Sequence, residues 1–144
     1  MQFSIAAKFA VLFAAMLVNV NAAPTTPNRS VLNSVNDCGD SSFINQSSGG
    51  SPLISDCQMI QRNIAGGGTW TTNAIVGQRQ LVQYGTCAFG VTVRSGTANV
   101  GNQDIIDIIN TSIQMFSYEG RVGSKGTMPC QGPLGGTTVD WGLY

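Results

Sequence analysis

Four cysteines follow an N-terminal segment with the character of an export signal, and this limits the available folds more than any other feature of the chain. Lys8 supplies a positive start, and Phe9 to Val18 is an uncharged apolar run. Val20-Asn21-Ala22 then places small residues where a signal peptidase cleaves. The run is about half of the roughly 20 residues that span a bilayer, so residues 1–22 read as a signal peptide rather than an anchor. Export gives Cys38, Cys57, Cys87 and Cys130 their meaning. They are even in number and contain no C-x-x-C pair, so two disulfides are expected rather than a metal centre. Their spacing alone leaves all connectivities open. Each bridge typically adds about 2–4 kcal/mol to a domain that is large enough to bury a core of its own.

Composition removes several function classes. Charged residues make up 10 % of the chain, with seven basic and seven acidic side chains. A nucleic-acid backbone calls for clustered Lys and Arg, so no nucleic-acid partner is expected. There is no histidine, which excludes Ser-His-Asp and Cys-His catalysis and His-containing zinc sites. No metal and no cofactor is implied.

Residues 23–36 are polar and proline-bearing, as a flexible leader would be. Asn28-Arg29-Ser30 and Asn45-Gln46-Ser47 are glycosylation acceptors, and Asn110-Thr111-Ser112 is a third that falls within an expected helix. Ser51-Pro52 has the form of a helix start, with Ser as N-cap and Pro at the first helical position. Leu53, Cys57, Ile60 and Ile64 would then share one face until Gly66-Gly67-Gly68 stops the helix. Thr69–Thr72 and Gln80–Tyr84 are β-rich, with Gly77 available for a turn between them. In Ala88–Val93, the residues Phe89, Val91 and Val93 alternate with smaller or polar ones.

A second helix is expected from an Asn102 cap through Gln103–Tyr118 to Gly120. Ile105, Ile106, Ile108, Ile109, Ile113, Met115 and Phe116 give it a broad apolar stripe, and Asp104, Asp107, Asn110 and Gln114 would fill a solvated arc. Gly120–Gly126 reads as a loop, and Thr137–Tyr144 as a last strand with Val139, Trp141 and Leu143 on one side. The fold class is α+β: a two-layer α/β sandwich with a mostly antiparallel sheet, two helices on one face, and two disulfides.

Several short stretches, taken in order, resemble one family. They are Cys38-Gly39 with Ser41-Ser42-Phe43, Ser51-Pro52-Leu53-Ile54-Ser55-Asp56-Cys57, Gly68-Thr69-Trp70 and Tyr84-Gly85-Thr86-Cys87-Ala88-Phe89-Gly90. Val100-Gly101-Asn102-Gln103-Asp104, Gly120 to Met128 with Cys130, and Trp141-Gly142 complete the series. The chain resembles the fungal extracellular effectors first known from the tomato leaf-mould fungus, the necrosis-inducing-factor family, over residues 37–144. The resemblance implies a secreted virulence effector or toxin, acting in the host apoplast without an established enzymatic activity and able to provoke necrosis or defence. Its implied partner is a host cell-surface or apoplastic protein. The order of elements is also similar to the killer-toxin fold encoded by a corn-smut virus, which implies an alternative as an antagonistic toxin acting on membrane channels of competing cells.

Binding chemistry fits the residues better than catalysis does. A glycosidase needs two carboxylates facing one another across about 5–9.5 Å. Asp104 and Asp107 sit on an expected solvated helix face, and no spacing pairs Asp56, Glu119 or Asp140. The order in Gly120–Thr127 is not that of a phosphate-binding loop. Trp70 and Tyr144 are candidate binding residues, for a wall glycan or for a protein, whereas Trp141 is expected in the core. Arg121 and Lys125 are candidates for a small basic patch on one loop. With the resemblance in hand, the expected pairing is Cys57 with Cys87, joining helix face to strand, and Cys38 with Cys130, closing the ends. Peptide mapping of the unreduced protein is expected to yield those two linked pairs; a Cys38–Cys57 peptide would rule the pairing out.

Overall fold

The computed structural model describes residues 33–144. The signal-peptide segment, the acceptor Asn28 and most of the leader lie outside the described residues. The elements in order are β1 (Ile44–Asn45), α1 (Ile54–Ile64), β2 (Thr69–Asn73), a 3-10 turn (Ala74–Val76), β3 (Gln78–Tyr84) and β4 (Cys87–Val93). They continue with β5 (Thr97–Gly101), α2 (Asn102–Phe116), β6 (Ser124–Cys130) and β7 (Thr137–Leu143). The main sheet has five strands in the order β1-β6-β7-β4-β3, and β2 and β5 form a separate ladder. Every pairing is antiparallel.

Strand alternation builds the core. Phe89, Val91 and Val93 of β4 stand opposite Leu143, Trp141 and Val139 of β7, and Met128 of β6 stands opposite Val139. All of them are buried. The helices bring their apolar stripes to the same cluster: Cys57, Ile60 and Ile64 from α1, and Ile105, Ile108 and Ile109 from α2. Ala98 and Val100 of β5 join it. Trp141 lies where its phase with Val139 and Leu143 places it, stacked at 6.1 Å on Phe89 and edge-on at 5.4 Å to Phe43. Its indole N–H donates to Ser41 Oγ at 2.6 Å. The α+β architecture expected from the sequence is the architecture observed.

Several boundaries differ, each for a local reason. Helix α1 starts at Ile54, not after Ser51, because Ser51 Oγ is already used in the preceding turn: it accepts Ser48 N–H at 2.9 Å and donates to Gln46 O. Asn102 is the first residue of α2 rather than its cap, and the N-cap position belongs to Gly101. The helix ends at Phe116, short of Tyr118. β2 does not turn back onto β3. Its partner is β5, a strand of only five residues with two buried apolar side chains, too short to stand out in the sequence. The stretch taken for a loop through Gly126 becomes strand at Ser124.

The chain before α1 also does more than the sequence suggested. From Asp37 to Gln46 it runs along β6 as an edge. Gln131 donates to Asp37 O, Gly39 to Pro129 O, Ser42 to Thr127 O and Gln46 to Gly123 O, at 2.7–2.9 Å. This close approach leaves no room for side chains beneath it. A Cβ on Gly126 would lie 1.9 Å from Ser42 O and 2.8 Å from the Trp141 ring. Gly126→Ala is therefore expected to cost about 1–3 kcal/mol or more in denaturant unfolding, because the edge must move away. Gly49→Ala, with nothing within 4 Å, is expected to be close to neutral.

Candidate functional site

The cysteines fix the frame on which any site is carried. Cys57 of α1 is bonded to Cys87 of β4, and Cys38 of the edge segment to Cys130 of β6. The first bridge ties the helix layer to the sheet. The second ties the edge segment to β6 beside the start of α2.

The structure does not bring Arg121 and Lys125 together on one loop. Arg121 is half-buried, exchanges backbone hydrogen bonds with Tyr118 at 2.8 Å, and donates from Nη1 to Ser51 O at 2.8 Å. That guanidinium ties a turn together. Lys125 is exposed in β6, with Ile44 and Gly142 as its cross-strand neighbours. Trp70 is half-buried in β2 against the core, opposite Val100, and so belongs to the ladder rather than to an open face. Asn45 is exposed, with Oδ1 accepting the N–H of Ser47 at 2.8 Å.

Tyr144 lies across the face of the main sheet opposite the core. Its backbone continues the β7–β4 pairing through Ala88, and Oη accepts from Gln78 Nε2 at 2.8 Å. The ring rests over glycines: a Cβ on Gly90 would meet the hydroxyl at 2.8 Å, and one on Gly142 would meet Cδ1 at 3.4 Å. Across this face run Lys125, Thr127, Asp140, Thr92 and Gln78, a row of polar side chains that register puts on one side. A hollow of about 340 Å³ opens there between Ile44, Lys125 and Asp140.

A larger cleft, about 600 Å³, lies between the edge segment and α2. Phe43, Ile108 and Met128 give it an apolar lining, and Asn36, Asp40, Ser41, Asp107 and Thr111 supply polar groups. This corrects the reading of Asp104 and Asp107 as two solvated carboxylates. Asp107 is exposed at the cleft and accepts from Gln103 Nε2 at 2.7 Å. Asp104 is 7 % exposed. Its Oδ2 accepts three backbone N–H groups: Asp37 at 2.8 Å, Cys38 at 3.2 Å and Gly101 at 2.8 Å. Sequence reasoning missed this because two of the donors, Asp37 and Cys38, lie 67 and 66 residues away in the chain.

Asp56 and Asp140 are also engaged. Asp56 Oδ2 accepts both the N–H and the hydroxyl of Thr86, at 2.8 and 2.7 Å, and those bonds hold its pKa below the usual carboxylate value. Asp140 takes a two-pronged contact from Arg94 at 2.7 and 3.0 Å, which lowers its pKa as well. Among the described residues, no three of Cys, Asp and Glu come together as metal ligands. The arrangement provides hydrogen-bonding groups over apolar floors, which is the chemistry of binding.

Comparison with known proteins adds relatives to this geometry. Residues 37–130 match the model of a family described as "Pathogen effector; putative necrosis-inducing factor". The chain is also 42 % identical over 118 residues to "Probable chitinase LysM18" of Penicillium expansum, a match covering 78 % of this chain and 8 % of that protein. It is 36 % identical over 111 residues to "Secreted chitinase LysM12" of the same organism, covering 73 % of this chain and 7 % of that protein. The chain thus spans less than a tenth of the length of these curated relatives.

The carboxylates respond to pH in opposite senses. Burial raises the pKa of Asp104 above 3.8 against the lowering effect of its three N–H donors. The folded state therefore takes up that proton before the unfolded chain does, and the group's contribution to stability grows as pH falls through the folded value toward 3.8. For Asp56 and Asp140 the stabilisation is present above 3.8 and is lost as pH falls through their lower folded values. In unfolding measured against pH, Asp104→Asn is expected to lose the acid-side gain, so the parent's advantage over the variant widens on acidification. Asp104→Ala, which orphans three N–H groups, is expected to cost about 1–3 kcal/mol or more at neutral pH.

Proposed function

The chain belongs to the pathogen-effector family whose model it matches over residues 37–130, and from that membership we propose a secreted effector that acts outside the producing cell, in the host apoplast, by binding a cell-surface target without catalysis. The observation that carries the non-catalytic reading is the state of Asp104, the most buried carboxylate at the cleft. Its Oδ2 is occupied by three N–H donors, a structural role that leaves this oxygen no free position as a general base. The uncovered sheet face around Lys125 and Tyr144 and the cleft beside Asp107 are the surfaces available for a partner. Provoking host cell death or defence is the consequence assigned to that binding. Oxidised protein infiltrated into leaves of a panel of host genotypes is expected to elicit cell death or a defence response in some of them. Inactivity across the panel, with growth inhibition of competing microbes, would replace this reading with that of an antagonistic toxin.

A second reading, a wall-glycan-binding protein, is favoured by two observations. Two relatives are named chitinases, and the cleft offers amide, hydroxyl and carboxylate groups above Phe43 and Met128, the mixed lining that sugars use. If it holds, the protein is retained on insoluble chitin or β-glucan, and Asp107→Ala weakens retention roughly tenfold, as loss of a hydrogen bond to a charged group does. Absence of retention on both polymers removes the glycan reading. Release of soluble sugar, abolished by one carboxylate substitution, would overturn the non-catalytic one.

A further inference from the structure

Turn apices in water are usually Gly, Asn, Asp, Ser or Pro, because such residues suit turn backbones and keep apolar surface covered. Two neighbouring turns of this protein break that pattern. Ile75 is 94 % exposed and Val76 56 % exposed in the 3-10 turn after β2, and Leu134 is 96 % exposed in the β6–β7 connection. Neither turn is loose. Asn73 Oδ1 accepts the N–H groups of Ile75 and Val76 at 3.0 and 3.3 Å, and Ala74 N–H donates to Gly96 O at 2.9 Å. In Gly132-Pro133-Leu134-Gly135 the last N–H returns to Gly132 O at 3.2 Å.

The two turns emerge at one end of the described unit. Gly132 lies so close to Thr97 that a Cβ would fall 1.9 Å from its carbonyl oxygen, and Thr97 is the β5 partner of Asn73. A third turn, Arg94-Ser95-Gly96, sits with them, with the hydroxyls of Ser95 and Thr137 3.2 Å apart. Residues 74–77, 94–96 and 131–136 contain no carboxylate. Arg79, just beyond Gly77, supplies positive charge at that end and donates from Nη1 to Thr71 O at 2.8 Å, while the charge of Arg94 is balanced. The carboxylate there is Asp140, held by Arg94.

We propose that this end of the unit, with Ile75, Val76 and Leu134 at its apices, docks on the surface of an anionic lipid bilayer. Separate convex aliphatic points with the unbalanced charge of Arg79 beside them suit a deformable interface, where side chains sink among acyl chains while that guanidinium meets headgroup phosphates. A protein partner is the poorer fit, since three aliphatic side chains fall well short of the about 800 Å² each partner buries in a standard interface. The contact is interfacial, as no helix among the described residues is long and apolar enough to cross a membrane. The inference goes beyond the effector reading and does not depend on it, because attachment to vesicles can occur whether or not leaves respond.

Co-flotation of the oxidised protein with protein-free phosphatidylcholine vesicles, with and without phosphatidylserine, tests it. Flotation is expected with phosphatidylserine and to fall about tenfold in each of Ile75→Ser and Leu134→Ser. Met115→Ser removes an exposed apolar residue from α2, and it is expected to float as the parent does. The proposal is overturned by no flotation of the parent, by equal flotation without phosphatidylserine, or by an equal loss in Met115→Ser. Attachment to whole cells but not to protein-free vesicles would overturn it in favour of a protein partner.

Discussion

The start of α2 is where the tertiary structure is tied together, and a carboxylate and an amide do the tying. Asp104 draws the N–H groups of Asp37, Cys38 and Gly101 onto one oxygen. Asn102, two residues earlier, accepts Val35 N–H at 2.8 Å and donates to Ile64 O at 2.9 Å. The edge segment, the end of α1 and the end of β5 therefore meet on two adjacent polar side chains. Buried polar groups of this kind are costly when unpaired and specific when satisfied, so they fix one arrangement of the elements more sharply than apolar contact can. The Cys38–Cys130 bridge adds a covalent clamp beside this junction, across a sequence separation of 92 residues.

The main sheet consequently has two unlike faces. One is filled by Phe89, Val91, Val139, Trp141 and Leu143 beneath both helices, with Cys57–Cys87 joining the layers. The other is polar, floored by Gly90 and Gly142 under Tyr144. A domain of this size gains most of its stability from the first face. The second is then free to vary, as loops and open faces on a rigid scaffold commonly are where recognition is placed.

How much of this could be read from the sequence depends on the range of each interaction. The alternation in β4 and β7 and the helical stripe of α2 are local periodicities, and they placed Trp141 in the core correctly. The position of Cys57 on the α1 stripe was equally legible. Asp104 was not. Two of its three donors lie 66 and 67 residues away, and nothing in Asn102-Gln103-Asp104-Ile105 distinguishes a carboxylate that gathers distant backbone from one that faces water. β5 escaped notice because five residues with two small apolar side chains carry almost no periodic signal. Arg121 and Lys125, four residues apart in a glycine-bearing stretch, suggested one patch. They were separated by a strand boundary at Ser124 that depends on pairing with β1 and β7.

The same physical features bear on how such a domain can be used. In both chitinase relatives the matching stretch is under a tenth of a much longer protein. A unit that completes its own core and closes two disulfides can keep its shape in very different chain contexts, since neither depends on neighbouring domains. What such a unit presents in any context is its exposed chemistry: here the polar sheet face, the cleft at Asp107, and the aliphatic turn apices. Burying Ile75 and Leu134 against the fold would have added stability, and their turns instead hold them outward by hydrogen bonds that fix the backbone. Stability forgone at rigid, neighbouring positions points to a surface shaped by contact with something outside the domain rather than by folding.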